Sequence, residues 1–216
     1  MSISLNLNKI KAEIPENVLL VAVSKTKPIE DLKIAYESGQ LHFGENKIQE
    51  LIYKEIALPK DIKWHMIGHL QRNKVKYIAP FIHLIHSVDS IKLLKEINKQ
   101  AEKNNRNINI LVQVDISDDE TKFGFSFEEI NLILLSGKIN EFNNINIKGF
   151  MGMASFTNDK TVIKNQFNNL KNLFEKFKKT YSLTFLSMGM SADYKEAIQC
   201  QSNIIRLGSN IFGSRN

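Results

Sequence analysis

A lysine at the end of an apolar run is the residue best suited to covalent chemistry in this sequence. Lys25 closes the segment VLLVAVSK, in which alternate positions before it are Leu19, Val21 and Val23. On a strand these positions share one face, so the lysine amine would lie at the end of an apolar surface. Burial there would lower the pKa of the amine toward neutrality, and a neutral amine is what Schiff-base formation with a carbonyl compound requires. The alternative is a lysine whose stem follows the strand while its amine reaches solvent.

Glycine and serine residues near the end of the chain form a second group suited to chemistry. The segment SMGMSAD places Ser191 before a helical pattern, and RLGS places Gly208 and Ser209 just after an apolar run. Glycines let backbone N–H groups approach phosphate oxygens, and serine hydroxyls add further donors. The pattern indicates a phosphate site. Its alternative is simple helix capping by the serine together with a tight turn at the glycine.

Arg206 is the third candidate, because it interrupts the otherwise apolar run IIRLG. A buried arginine must be paired or hydrogen-bonded. It would therefore either pair with an acid for structural reasons or donate a hydrogen bond to a heteroaromatic nitrogen of a ligand.

The elements that must position these residues alternate along the whole chain. Eight apolar, β-branched runs are predicted strands, at 18–25, 41–45, 62–68, 84–90, 108–116, 145–154, 184–190 and 204–212. Segments with helical spacing separate them, and a further predicted helix precedes the first strand. Each unit has about 27 of the 216 residues, which suits a repeated βα unit. We therefore predict an α/β fold, a single-domain (β/α)8 TIM barrel over residues 1–216 with an additional N-terminal helix. A doubly wound open sheet is the alternative, but no GxGxxG follows the first strand.

Composition and charge narrow the classes of function. Apolar residues make up 43% and charged residues 24% of the chain, as in ordinary globular proteins. The start has no apolar signal, no stretch is long enough to span a membrane, and the single Cys200 suits a reducing compartment. We expect a cytoplasmic protein without membrane contact. The net charge of +6 could attract nucleic acid, but the lysines are scattered over helical segments, so we expect no nucleic-acid partner.

Five segments together resemble one known family. VAVSKTKP, HFGENKIQE, WHMIGHLQRNK, SMGMSAD and IIRLGSNIFG occur in the order typical of the pyridoxal phosphate homeostasis proteins, and they extend from about residue 18 to 213. The resemblance implies a barrel like the N-terminal domain of alanine racemase, with pyridoxal 5′-phosphate as its cofactor. It implies these cofactor-binding residues: Lys25 as the Schiff-base lysine, Asn46 beside the cofactor, Ser191, Gly208 and Ser209 around the phosphate, Arg206 at the pyridine nitrogen, and His65 and Met190 close by.

The other reactive side chains are expected to be structural. No catalytic residue is expected, and His65 is interpreted as a core or cofactor-packing residue rather than a base. Lys122 could accept cofactor transiently, although an ordinary surface lysine is favoured, and Cys200 is expected to be inert. Four further histidines lack metal-ligand spacing with cysteines or carboxylates, so no metal site is expected: His42, His69, His83 and His86.

The resemblance implies a carrier of the cofactor more than an enzyme. Arginine stays protonated, so Arg206 would donate to the pyridine nitrogen and leave the ring a weak electron sink. No segment corresponds to the second, β-rich domain of the racemases, so we expect an accessible, exchangeable cofactor. The predicted function is to buffer pyridoxal phosphate or to deliver it to apo-enzymes, as a monomer. The alternatives are a minimal amino-acid racemase and a cofactor-free Schiff-base aldolase.

Overall fold

The computed structural model describes residues 2–117 and 123–213. Within these residues, eight parallel strands form a closed barrel in which each strand pairs with its neighbours in chain order and β8 pairs with β1. The strands are β1 Leu19–Val23, β2 His42–Glu45, β3 Lys63–Met66, β4 Leu84–Val88, β5 Ile108–Gln113, β6 Ile145–Met151, β7 Phe185–Ser187 and β8 Ile204–Leu207. The predicted (β/α)8 barrel is confirmed, and the open-sheet alternative is wrong because the last strand pairs with the first.

Helices follow the strands around the outside of the barrel. They are α1 Ile3–Glu13, α2 Ile29–Glu37, α3 Ile48–Ala57, α4 Val75–Ile78, α5 Ile91–Lys103, α6 Phe127–Leu135, α7 Lys160–Tyr181, α8 Tyr194–Gln199 and α9 Ser209–Phe212. Short 3-10 helices at Arg72–Lys74 and Lys138–Glu141 precede α4 and follow α6. Among the described residues, no helix combines the length and the apolar character needed to cross a membrane.

The N-terminal helix α1 packs between two other helices of the barrel. It contacts α2 on one side and the short α9 on the other. The Asn6 side chain donates to the carbonyl of Ile211 over 3.0 Å, and the Ser2 hydroxyl caps the helix by accepting from the amide of Leu5. The two ends of the described chain are therefore packed together, and α1 covers the gap that the one-turn α9 leaves.

The apolar core has two layers. The larger layer lies between the strands and the helices. The smaller one fills the interior of the barrel and consists of Val21, Leu84, Leu111, Met151 and Ile204. Each such side chain contributes about 1.5–3 kcal/mol on burial. Val21 faces the barrel interior. The alternate positions of β1 therefore share one apolar face, as predicted from the sequence, and Lys25 follows at the end of that face.

Candidate functional site

A cavity of about 720 Å³ opens at the carboxyl ends of the strands, a size suited to a small ligand. The loops that follow β1, β2, β3, β6, β7 and β8 line it. Seven of the eight predicted cofactor residues belong to its wall: Lys25, Asn46, Met190, Ser191, Arg206, Gly208 and Ser209. His65 is not among the lining residues. The structure therefore brings together residues from both ends of the sequence, as expected for a closed barrel.

Lys25 lies two residues past the end of β1 and is half-buried. Val23, on the same face, also lines the cavity, and Val21 lies deeper in the barrel interior. The alternation of β1 thus leads from the apolar interior to the lysine at the cavity wall. The sequence left two alternatives for Lys25, a buried amine and an amine that reaches solvent. The observed side chain is neither fully buried nor fully exposed, so its environment lies between the two.

A buried ion-pair network lies directly beside the Lys25 turn. The Lys54 ammonium donates to the carbonyl of Ser24 at 2.7 Å, to Glu45 Oε1 at 2.8 Å and to Glu50 Oε1 at 2.7 Å. The Ser24 hydroxyl also donates to Glu45 Oε1 at 2.6 Å. We call these four residues the Lys54 network. Glu45 is completely buried, and burial raises the pKa of its carboxyl more strongly than Lys54 and Ser24 lower it.

The Lys54 network fixes the backbone on both sides of Lys25. Before the lysine it binds the carbonyl of Ser24, and after the lysine Glu50 Oε1 accepts from the amide of Thr26 at 2.6 Å. Thr26 has a φ of +66°, a left-handed conformation that costs a non-glycine residue about 1–3 kcal/mol. The network therefore orders a strained turn that presents the lysine. Sequence reasoning missed it, although Glu50 and Lys54 have the i, i+4 spacing of a helical ion pair.

Asn46 is held in the wall by a close approach between two loops. A Cβ added to Gly68 would lie 2.5 Å from the carbonyl oxygen of Asn46, so only glycine permits this contact. The Ser87 hydroxyl donates to the carbonyl of Gly68 at 2.5 Å and fixes the loop from the other side. The loop after β3 thereby holds the backbone of Asn46 at the cavity wall.

The loops after β7 and β8 form the part of the wall suited to an anion. Ser191 Oγ accepts from the amide of Gly208 at 3.3 Å, which joins the two loops. Gly189 has a φ of +92°, and this turn directs the chain from β7 into the loop. Within residues 2–117 and 123–213, the amides of Ser191, Ala192 and Ser209 donate to no protein acceptor. Such amides are available to anionic oxygens.

The charges of the wall favour an anion as well. The cations are Lys25, Lys27, Lys160 and Arg206, and the acids are Asp193 and Glu196. Glu196 is already paired with Lys160 at 2.7 Å, and burial raises the pKa of Asp193. The excess of positive charge matches a ligand that carries a phosphate group.

Arg206 is buried at the base of the cavity, with 4% of its surface exposed. Its Nη1 donates to the carbonyl of Ser187 at 2.9 Å and to the Ser187 hydroxyl at 2.5 Å, and Nη2 donates to the carbonyl of Gly152 at 3.2 Å. Burial lowers the pKa of the guanidinium to about 10, so it stays protonated at neutral pH. A guanidinium has five N–H donors and no acceptor, so donors remain for a ligand.

A line of hydrogen-bonded histidines crosses the barrel interior and ends at Ser187, which also accepts from Arg206. His42 Nδ1 lies 2.9 Å from His65 Nε2, His65 Nδ1 lies 2.8 Å from His86 Nε2, and His86 Nδ1 lies 3.1 Å from Ser187 Oγ. We call His42, His65 and His86 the histidine chain. Burial lowers the pKa of His65 and His86 well below the usual value and that of His42 to about 4, so all three are neutral near pH 7.

The resemblance implies a place for His65 close to the cofactor, whereas its residue type is interpreted as core or cofactor packing, and the structure places it in the core. Instead of lying beside the cavity, it is fully buried between two other histidines and reaches the Arg206 region only through them. Sequence reasoning missed the chain because its members come from three successive strands. Their separations of 23 and 21 residues match the length of one βα unit rather than a local motif.

The loop between β6 and α7 was not predicted to belong to the site. Residues 153–158 line the cavity, and Phe156 is fully exposed there. Buried Gln166 of α7 anchors the loop, since its Oε1 accepts from the amide of Ser155 at 2.9 Å and its Nε2 donates to the Ser155 hydroxyl at 2.8 Å. No periodic or motif signal in the sequence distinguishes this loop.

Two further predictions concern reactive side chains. Lys122 lies outside the described residues. Cys200 is buried at the end of α8, and burial raises the pKa of its thiol, which agrees with the expectation of an unreactive side chain.

Comparisons with known proteins agree with one another. The family described as alanine racemase, N-terminal domain, matches residues 2–216. A pyridoxal phosphate homeostasis protein of Pasteurella multocida is 36% identical over 231 residues, covering 100% of this chain and 98% of that protein. A protein of the same name from Synechocystis is 39% identical, with 96% of each chain covered.

Solved structures show the same architecture. PipY of Synechococcus elongatus, without pyridoxal phosphate, is 31% identical with a TM-score of 0.92 over 98% of this chain and 100% of that one. The same protein with pyridoxal phosphate bound is 30% identical with a TM-score of 0.88 over the same shares. An alanine racemase of Clostridium difficile is 18% identical, with a TM-score of 0.84 over 99% of this chain and 57% of that one, and this likeness concerns the fold alone.

Proposed function

Since this chain belongs to the alanine racemase N-terminal domain family and, within it, to the pyridoxal phosphate homeostasis proteins, we propose that it binds pyridoxal 5′-phosphate and serves the homeostasis of that cofactor. The proposal rests on one observation. A half-buried lysine, a buried arginine and a group of backbone amides and serine hydroxyls that suit an anion all line the same cavity. Because the cavity uses loops from both ends of the sequence, we also propose that residues 1–216 act as a single domain.

The residues of the cavity fit the three functional parts of this cofactor. Pyridoxal phosphate supplies an aldehyde, a pyridine nitrogen and a phosphate. The amine of Lys25 holds the aldehyde as a Schiff base, and Arg206 donates to the ring nitrogen. Ser191 and Ser209 bind the phosphate through hydroxyls and amides, and Gly208, whose amide donates to Ser191 Oγ, holds the two loops together around it. Asn46 and Met190 line the remaining wall, and His65 acts on the site only through the histidine chain.

The same residues favour storage and delivery of the cofactor over catalysis. Arg206 keeps its proton at neutral pH and cannot take one from a ring nitrogen, so the ring is a weaker sink for carbanions than one facing a carboxylate. Lys25 is half-buried and Phe156 is fully exposed at the cavity wall, so water reaches the site. We propose a monomeric, cytoplasmic carrier that buffers pyridoxal phosphate and passes it to apo-enzymes.

The carrier role predicts little amino-acid chemistry. The protein loaded with cofactor is expected to racemise or transaminate common amino acids far more slowly than about 1 s⁻¹, the lower end of typical enzyme rates. The measurement is chiral chromatography of each amino acid after incubation with the loaded protein. Turnover at about 1–10³ s⁻¹ would replace the carrier with the minimal racemase.

The proposed phosphate site predicts a strong preference for the phosphorylated vitamer. Each charge-assisted hydrogen bond contributes about 1.5–3 kcal/mol, so Ser209→Ala is expected to weaken binding of pyridoxal phosphate roughly 10- to 100-fold. Pyridoxal without phosphate should bind far more weakly to the unmodified protein. Equilibrium dialysis measures both affinities, and Ser136→Ala, an exposed serine outside the cavity wall, is the matched control. Equal affinities for the two vitamers would contradict the site.

A further inference from the structure

Three histidines converge at the end of the barrel opposite the cavity. His42 is the first residue of β2, His65 lies within β3, and His83 directly precedes β4. One ring nitrogen of each lies within 4.8 Å of the other two. We propose that His42, His65 and His83 bind one divalent transition-metal ion of the Zn²⁺ type. We call this group the three-histidine site.

The geometry requires only small side-chain adjustments. Tetrahedral coordination at about 2.0–2.1 Å places ligand nitrogens about 3.3 Å apart. His42 Nδ1 and His65 Nε2, now 2.9 Å apart, must separate slightly, and a ring nitrogen of His83 within 4.8 Å of the other two ligands completes the set. His42 and His83 are half-buried at the barrel end and can rotate, whereas His65 is fixed in the interior. Three protein ligands leave a fourth position open to water.

The chemistry of the donors selects the class of ion. Burial lowers the pKa of all three histidines, so at neutral pH each imidazole presents an unprotonated nitrogen. Imidazole nitrogens suit Zn²⁺, Co²⁺, Ni²⁺ and Cu²⁺, whereas Mg²⁺ and Ca²⁺ require oxygen ligands. The other nitrogen of His65, Nδ1, lies 2.8 Å from His86 Nε2. Such a hydrogen bond on the nitrogen that does not bind the metal orients a metal-binding histidine.

Two cations limit the affinity of the three-histidine site. Lys63 and Arg106 both act electrostatically on His83, and Lys63 also acts on His42. Lys63 is exposed and can turn into solvent. Arg106 is held in place by the carbonyls of Ala79 and Ile82. We therefore expect weaker binding than at zinc sites with thiolate ligands, which carry negative charge of their own.

The test is calorimetric titration of the full-length protein with Zn²⁺, after removal of any histidine tag and dialysis against a chelator. The unmodified protein is expected to bind one equivalent. His42→Ala and His83→Ala should each raise the Kd about tenfold or more. His69→Ala is the matched control, because His69 is half-exposed and paired with Asp89 at 2.9 Å, where adventitious zinc could bind.

Failure to bind zinc, unchanged affinity in both His42→Ala and His83→Ala, or loss of binding in His69→Ala would overturn the proposal. Circular dichroism establishes that the variants are folded. X-ray absorption of the zinc-loaded unmodified protein needs no variant: scattering from three imidazoles is expected, and a shell of oxygen ligands alone would also overturn the three-histidine site.

Discussion

Lys25→Ala is expected to abolish the yellow absorbance of the protein loaded with pyridoxal phosphate and to prevent borohydride from fixing the cofactor to the chain. The reason is that Lys25 is the lysine at which the interior-facing side of β1 meets the cavity wall. Contacts to the phosphate would still retain some cofactor, but without the covalent link. Absorption spectra before and after borohydride, followed by peptide mapping of the reduced protein, measure this outcome.

The matched control is Lys27→Ala. Lys27 lines the same cavity, and its ammonium donates to the carbonyl of Phe212 at 3.1 Å, so its removal changes the local charge equally. The control variant should keep the absorbance and the adduct on Lys25. A main adduct on another lysine of the unmodified protein, such as Lys122, with Lys25 unmodified, would contradict the assignment.

Lys54→Met is expected to lower the free energy of unfolding by about 3–5 kcal/mol, the usual cost of leaving a buried charge without its partner. Lys54 is 2% exposed and Glu45 is completely buried, and the ammonium is bound by two carboxylates and the carbonyl of Ser24. Methionine replaces the volume of the stem but none of these bonds. Urea unfolding followed by circular dichroism measures the difference.

Lys60→Met is the control for this prediction. Lys60 makes a 2.7 Å ion pair with Glu55, but its side chain is 67% exposed, so the expected loss is only about 0–1 kcal/mol. Equal losses in the two variants would show that the Lys54 network contributes no more than a surface pair.

The loss in Lys54→Met should also depend on pH. Burial raises the pKa of the Glu45 carboxyl, so the folded protein holds this proton more tightly than the unfolded chain does. The contribution of Glu45 to the free energy of unfolding therefore rises as the pH falls, because protonation removes the buried charge. The loss is expected to be smaller at about pH 5 than at about pH 8, and an unchanged loss would exclude Glu45 as its cause.

The barrel and most of the proposed cofactor residues could be predicted from sequence because local patterns encode them. The run VLLVAV alternates along β1, and the glycine and serine segments lie immediately after β7 and β8, so the closed order of strands brings Lys25 and Ser209 to the same cavity. The apolar run at 204–212 contains the last predicted strand, with Gly208 and Ser209 expected just after it, and the structure ends β8 at Leu207 and begins α9 at Ser209.

The contacts that escaped prediction depend on register between neighbouring strands. Glu45 meets Ser24 across the β1–β2 pair, and His65 meets His86 across the β3–β4 pair. A shift of one residue in either register would turn these side chains to opposite faces. Strands that are apolar on both faces carry little alternation from which the register could be inferred. The loop at residues 153–158 was not predicted for a different reason. It is held by a buried glutamine on the following helix, Gln166, and not by a turn motif that the sequence would reveal.

The histidine chain has two consistent arrangements of its protons, because each neutral imidazole has one N–H and one bare nitrogen. In the first, Ser187 donates to His86 Nδ1, and the N–H of both His86 and His65 points toward His42. An ion on His65 Nε2 excludes this arrangement. The protons of His65 and His86 then occupy their other nitrogens, and Ser187 accepts from His86 as well as from Arg206. Occupation of the three-histidine site would therefore reverse the hydrogen bond between His86 and Ser187, the residue that also accepts from Arg206 beside the cavity.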